Sequence, residues 1–480
     1  MIQIALLALL GWVPVVIALF AMLPPRRAVI AAFLGGWMFL PLITIQLSSL
    51  PDISKVSVTS CSVLLGVAAF DGKRLFSFRP RWFDLPILVW VAVPFISSLA
   101  NDRGMWDGAS RMLTAIIFWG IPYVIGRVYF TDLPAIRDLA LGFVIAGCVY
   151  APLILWEVRM SPQLHKQLYG TVASGMLRGS SLGIPGFRPN VFIGHGLAVS
   201  MFMLMCTLCA IWLWKTKAIR AIWGFPIGLL TLGLYGTTIL CKVLGTLLVL
   251  HIAIVVLCAT KQLRTSILVG LLVIAPFAYM FARVTGMFTG DMLLDMAAMV
   301  EPTRAGSLQF RLDAEYGIIR NAMERPWFGY GSDPMWRARL VDDPRAASKP
   351  NVVTDGMWII ALGQGGVIAL AALAGCMLLP AFLVWRRMPV AYWEHPAFAP
   401  IIVLAVLLIC FMIDSLFNAN ANMLTLLCAG AVSSMAAALR PTGAQVRARQ
   451  QQAALQSRTM RATTPLHGGQ PSRTRPAYAS

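Results

Sequence analysis

IQIALLALLGWVPVVIALFAML, residues 2–23, decides the fold, because it is either a leader to be removed or the first of many membrane spans. It has no basic stretch before it, and it exceeds the roughly 7–15 apolar residues of a secretory leader. No convincing cleavage site comes before Pro24-Pro25-Arg26-Arg27. It is therefore expected to stay as a helix. Runs of the same character recur at 28–46, 57–70, 85–100, 112–130, 139–157, 191–214, 221–239, 241–259, 267–285, 355–385, 401–417 and 423–439. About 20 apolar residues cross about 30 Å of hydrocarbon. With no water there to satisfy backbone groups, such runs must be helical. Composition agrees: 58% of the 480 residues are hydrophobic and 12% charged, with a mean hydropathy of +0.75, whereas soluble domains carry about 25% charged residues. The polar stripes of a soluble helical core are missing. The expected fold class is all-α, a polytopic transmembrane bundle of about 12–13 helices, the third and fourth of them short. The nine cysteines all fall in apolar runs without metal-ligand spacing to a histidine, and read as small buried hydrophobes.

Orientation follows from Lys and Arg in short connectors. Pro24–Arg27, the stretch holding Lys73, Arg74, Arg79 and Arg81, Lys215–Arg220, Lys261–Arg264 and Arg386-Arg387 all fall on one side by alternation, together with the C-terminus. That side is expected to be the cytoplasm. Residues 440–480 contain seven Arg and no acid, and such a tail cannot bury a core, so it is expected to be disordered. The net charge of +19 thus reads as a topology and lipid-surface signal, with no nucleic-acid partner. The expected organisation is helices over 1–285 with an outer basic loop at 158–190, a large outer loop at 286–354 containing short amphipathic helices, helices over 355–439, and the tail.

The two long outer segments hold the readable chemistry. Val158–Asn190 carries Arg159, Lys166, Arg178 and Arg188 with no acid, opposing the orientation rule. An anionic ligand would explain outward cations, although long loops also translocate regardless of charge. In the second segment, Arg311 leads into Leu312–Arg325, whose apolar positions Leu312, Tyr316, Ile319 and Met323 recur at helical spacing. Pro326 ends that stretch, and Trp327-Phe328-Gly329-Tyr330-Gly331 forms a glycine-containing turn. Such a helix would lie along the membrane surface. The chain re-enters the bilayer at Asp355-Gly356, followed by Gly363-Gln364-Gly365-Gly366.

Here the sequence resembles the O-antigen ligase and polysaccharide polymerase superfamily of bacterial inner membranes. The family's late periplasmic loop has an Arg-containing helix and a Pro-x-x-Gly-x-Gly turn, similar to Arg311 through Pro326–Gly331. The helix after it opens with a polar pair and a Gly-x-x-Gly step, similar to Asp355-Gly356 and Gly363–Gly366. An upstream Arg-Gly and Pro-Asn element resembles Arg178-Gly179 and Pro189-Asn190, with Arg188 as a second cation. Cys241-Lys242-Val-Leu-Gly245 stands where the family has a Ser-Arg-Gly-like step. Ligases of the family carry a His at the re-entry point, whereas this chain has Thr354-Asp355-Gly356, which favours a polymerase-like member.

The resemblance implies a multi-pass inner-membrane glycosyltransferase with a cytoplasmic C-terminus. It would transfer glycan from an undecaprenyl-pyrophosphate donor to a glycan acceptor on the periplasmic face. Membrane lipids and other polysaccharide assembly proteins are the expected partners. Breaking the sugar–phosphate bond builds negative charge on the pyrophosphate, which preorganised cations stabilise, and guanidinium forks onto phosphate oxygens. Arg178, Arg188, Lys242 and Arg311 would bind the pyrophosphate, and Asp355 would accept a hydrogen bond or proton from the attacking hydroxyl. Asp414, beside Asn418, Asn420 and Asn422, would contact sugar. No metal or other cofactor is required. Each residue also has a plainer reading: Arg311 and Lys242 as side chains snorkelling to the interface, Asp355 as a helix cap. A transporter or flippase is the alternative class of function.

Overall fold

A computed structural model describes residues 2–47, 50–171, 185–300, 302–337, 356–420 and 422–439. The chain divides into two units, 1–437 and 438–480, and the bundle of helices makes up the first. Its regular secondary structure is almost wholly helical. The first span is a pair of helices, α1 (Ile2–Leu10) and α2 (Trp12–Met22), followed by α3 (Pro25–Phe39), α4 (Lys55–Leu75), α5 (Leu85–Ala100) and α6 (Gly104–Ala115). A π-helical turn, Ile116–Gly120, joins α6 to α7 (Ile121–Tyr129). Then come α8 (Leu133–Met160), the short α9 (Leu164–Tyr169), α10 (Gly196–Lys215), α11 (Ile227–Leu240), α12 (Leu244–Gln262) and α13 (Ile267–Val284). The segment expected as a large loop holds α14 (Asp291–Val300) and α15 (Pro302–Ala322). The last three are α16 (Met357–Arg387), α17 (Ala399–Asp414) and α18 (Met423–Ala438). Among the described residues, nine helices are long and apolar enough to span a membrane and three more are shorter but apolar. The chain is a multi-pass membrane protein.

Each of the thirteen expected runs contains a helix, but several ends differ, for local reasons. The helix expected at 28–46 stops at Phe39, because Pro41 pushes Leu40 into extended backbone; the strand-like segment beyond pairs Ile45 with Ile53. The helix expected from 112 begins at Gly104. The one expected from 191 begins at Gly196, since the Asn190 and Val191 amides are engaged elsewhere and the His195 ring accepts from the Leu197 amide. A two-residue hairpin, Ala221–Ile222 with Phe225–Pro226, takes the start of the run expected at 221. Helix starts are capped where the sequence offers caps: Ser54 and Ser57 form a reciprocal box at α4, and Asp132 accepts from Ala135 N at α8.

The interior is built on α10, most of whose residues are buried, with α17 and α18 buried along nearly their whole lengths. By contrast α11, α12 and α13 turn Leu229, Leu232, Leu248, Val255, Leu271 and Phe281 outward, as a lipid-facing surface requires. Six of the cysteines are buried and three half-buried, all as free thiols.

Successive spans run in opposite directions, which sorts helix ends into two sets, and polar contacts between helix ends respect that sorting. At the end carrying the basic connectors, Arg26 pairs with Asp132 at 2.8 Å, Lys215 and Lys261 both reach Glu394, and Trp385 Nε1 donates to Ser266 O. There too Arg127 forks onto buried Asp84 through Nε and Nη2 at 2.7 and 3.0 Å, and the Tyr123 hydroxyl donates to the same carboxylate. At the opposite end, Tyr169 donates to Phe39 O, the Leu42 amide to His165 Nε2, and the Ser97 hydroxyl to Phe328 O.

Candidate functional site

The candidate residues that the structure describes stand at this opposite end, in two groups. The first surrounds the break between α11 and α12. Glu157, buried in the last turns of α8, accepts backbone hydrogen bonds from Leu164, Asn190 and Val191 at 3.1, 2.8 and 2.7 Å. One carboxylate thus ties both described ends of the segment between α8 and α10 to α8. The Phe192 amide donates in addition to the Tyr150 hydroxyl oxygen. The returning segment then lays Arg188 across Gly196, where a methyl group would meet its Nε at 2.6 Å, and within charge range of Cys241. Lys242, adjacent to Cys241, has positive φ (+60°) and no solvent exposure, and its Nζ donates to Pro185 O at 2.8 Å. Burial lowers its pKa, a shift that an anion beside it would oppose. The plainer reading of Lys242, a side chain snorkelling to the interface, has the bond to Pro185 O against it. Lys242 also stands before α12 rather than in its first turn. Arg178, expected in this group, lies outside the described residues.

The second group lies where α13, α15, α16 and α17 meet. Arg283, at the end of α13, pairs with Glu315 of α15 at 3.0 Å, both side chains 5% exposed. Its remaining nitrogens donate to Phe288 O, Thr289 O and Leu312 O. Glu315 also accepts from the Tyr279 hydroxyl and, at 3.4 Å, from Trp358 Nε1. Burial pushes the Glu315 carboxyl above its ordinary pKa, with Arg283 opposing. This pair changes which face of the helix turns inward. Tyr316, expected on the apolar stripe, is 68% exposed and Met323 is 40% exposed, while Leu312, Glu315, Ile319 and Ala322 are buried. The reason is that Arg283 compensates the burial of Glu315, so its face, not Tyr316's, packs against the bundle. The helix also starts earlier than expected, at Pro302.

One turn before Glu315, half-buried Arg311 comes within charge range of Asp414 at the end of α17. Asp414 is 5% exposed and accepts from the side-chain amides of Asn418 and Asn420 at 2.7 and 2.8 Å. It therefore shapes the turn that presents those amides. Asn422 does something different: its Oδ1 caps α18 by accepting from Thr425 N and Oγ1. On the same turn α16 docks its first residues, Met357 N to Asn418 O and Trp358 N to Ser415 O. Asp355 lies outside the described residues.

The two glycine motifs prove to be halves of one joint. Tyr330 N donates to Gly363 O, Gly331 N to Gln364 O, and Val367 N to Pro326 O at 2.7 Å. At Gly366, α16 breaks, with φ +65° and ψ −165°, a region essentially reserved for glycine. A Cβ there would lie 2.4 Å from the Trp327 carbonyl, and one on Gly329 would lie 2.6 Å from the Gln364 carbonyl carbon. Helix α5 closes the joint: Ser97 donates to Phe328 O and Asn101 to Gly329 O, while Arg325 donates to Asn101.

Glu157, Arg283, Glu315 and Ser97 were not anticipated as part of this end. The available signal was a single acid closing an apolar run at Glu157 and a cation doing so at Arg283. Among the described residues, no group of three or more His, Cys, Asp or Glu side chains is placed to hold a metal ion. No protein-family model matches the chain, and no curated protein matches it at a significant level.

Proposed function

We propose that the chain is a bacterial inner-membrane glycosyltransferase that extends a polysaccharide from an undecaprenyl-pyrophosphate donor on the periplasmic face, as a polymerase rather than a ligase. One observation carries this reading: Arg188, Lys242 and Arg311, drawn from three distant parts of the sequence, all stand at the end opposite the basic connectors. Topology needs no cations there, whereas a pyrophosphate at the interface does. The acceptor hydroxyl oxygen attacks the anomeric carbon. The bond from that carbon to the pyrophosphate oxygen breaks, and its electron pair leaves on the lipid pyrophosphate. The hydroxyl proton passes to a carboxylate, for which Asp355 is the candidate. Arg178, Arg188, Lys242 and Arg311 meet the leaving charge, and Asp414 with its asparagines faces sugar.

A flippase has one observation in its favour, the break in α16, since transporters build sites at broken helices. Here Pro326 and Trp327 carbonyls pack into the break, so the enzyme reading is preferred. The test is chain growth by purified protein supplied with lipid-linked oligosaccharide. Arg311→Ala should abolish growth at normal abundance, and Arg311→Lys should restore only part of it, because a point charge cannot fork onto two oxygens. Asp355→Asn should slow growth by about 10²–10⁴-fold; turnover within about threefold of the parent would make Asp355 a helix cap. Full activity of Arg311→Ala would remove the proposed pyrophosphate site.

A further inference from the structure

A second feature of the same end is a chamber of about 610 Å³ between α5, α6 with its π turn, α16 and the segment around Asp52. Its volume lies within the roughly 300–1,000 Å³ of small-molecule sites, and neither Arg188, Lys242, Arg311 nor Asp414 lines it. Its lining is graded. Polar groups come from Asp52, Asp107, Arg111 and Gln364, and aromatic surface from Trp90 and Trp119, whose ring centroids are 4.7 Å apart. Trp119 is carried by the π-helical turn, and such turns occur frequently at functional sites.

Charge decides what can enter. Among the described lining residues there are two carboxylates and one guanidinium. Arg111 Nε is already divided between both oxygens of Asp107 at 3.0 and 3.1 Å, and Asp107 also accepts from Ser98 and Ser332. A pyrophosphate would meet net negative charge here and be repelled. A cation is not favoured either, since Asp107 is committed to these donors. What fits is an uncharged molecule with many hydroxyls and an apolar face. Its hydroxyls would alternate between donors and acceptors at Arg111, Asp52 and the exposed Gln364 side chain, and its C–H face would lie on an indole.

We infer that this chamber binds an uncharged glycan and is the acceptor subsite, separate from the cation sites that hold the donor. The inference rests on the glycosyltransferase reading above. Met357, the first residue of α16, and Gly331 of the joint both line the chamber, so it adjoins the point at which the chain re-enters the bundle. A bound acceptor would present its hydroxyl there while the donor pyrophosphate stays with Arg188, Lys242 and Arg311. The two substrates are thereby sorted by charge before they meet.

The experiment uses the full chain in nanodiscs and two probes: oligosaccharide released by mild acid from the host cell's lipid-linked pool, and undecaprenyl pyrophosphate. Calorimetric titration measures each dissociation constant for the parent, Trp119→Ala and Gln364→Ala. The expected result is that each variant weakens oligosaccharide binding about tenfold, the effect of one stacked face or one hydrogen bond, with undecaprenyl pyrophosphate unchanged. Gln364→Ala removes only an exposed side chain and keeps the test decisive if Trp119→Ala fails to fold. Oligosaccharide that binds parent and variants alike, or that fails to bind the parent, overturns the inference. So does a selective loss of undecaprenyl pyrophosphate, which would make the chamber the donor's. Chain growth assayed on the same parent preparation reports on the glycosyltransferase reading separately, so the two can fail independently.

Discussion

Gly366→Ala tests whether the turn at 326–331 and the break in α16 form one mechanical unit. The substitution places a methyl group 2.4 Å from the carbonyl of Trp327 and 2.5 Å from Pro326 O, and these are backbone atoms that cannot rotate away. It also forces a residue with a Cβ into the φ +65°, ψ −165° conformation, at a cost of about 1–3 kcal/mol. The relief available is for α16 to straighten through residue 366 and push the turn off. That would break the bonds from Tyr330 N, Gly331 N and Val367 N, each contributing about 0.5–1.5 kcal/mol. Because the clash leaves straightening as the only relief, the three lost bonds set the penalty, at roughly 1.5–4.5 kcal/mol. Its lower end corresponds to about a tenfold increase in the open population. Hydrogen exchange read by mass spectrometry should show this as lost protection at the amides of residues 330, 331 and 367, with α10 and α17 unaffected. Gly233→Ala is the control, because a Cβ there meets nothing within 4 Å and its helix gains up to about 1 kcal/mol. Unchanged protection in Gly366→Ala would refute the joint.

The same geometry sets two further outcomes. Reporter fusions active only outside the cytoplasm should be bright after Ser332 and dark after Arg440, and the reverse pattern would remove the periplasmic assignment of the cations. Glu315 has a folded-state pKa raised above the ordinary 4.5 by burial, so its contribution to stability is complete below that value and is lost as pH rises through the raised one. The thermal midpoint of the parent, relative to Glu315→Gln, should therefore fall as pH is raised from about 4.5, and a gap that does not move with pH would mean that Arg283 cancels the burial cost.

The helices were legible because hydropathy over twenty residues is a long, redundant signal. Their ends were not, because ends answer to single residues. Leu40 is extended on account of Pro41, and 191–195 is coil on account of a carboxylate, Glu157, some 33 residues earlier in the chain. The site was legible in its residue types and not in its pairings. Arg311 and Asp414 were both singled out, yet nothing in either stretch says that they approach each other across α15 and α17. The two glycine motifs were likewise read one at a time, and only the backbone hydrogen bonds between 326–331 and 363–367 reveal a single joint. Tyr316 shows how periodicity misleads: Glu315 counts as polar in a sequence pattern, but paired with Arg283 it becomes the inward face.

That pairing also separates two kinds of cation at one end of the bundle. Removing two charges from water costs several kcal/mol for each ion, and their attraction seldom returns it all, so the Arg283–Glu315 pair is weak as a source of stability. Its effect is positional. Arg283 binds Phe288 O, Thr289 O and Leu312 O as well as Glu315, and Glu315 binds residues of α13 and α16. Together they fix the first turn beyond α13, the register of α15 and the start of α16. Arg311, four residues before Glu315 on the same helix, is thereby carried to within charge range of Asp414. A cation that must meet charge developing on a leaving group is most effective when it needs no reorganisation at that moment, and its supporting residues must be locked for that purpose. On the glycosyltransferase proposal, Arg283 could not serve as a second phosphate ligand without releasing that frame. The cation proposed to meet the leaving charge is therefore Arg311, with Arg283 holding the helix that carries it.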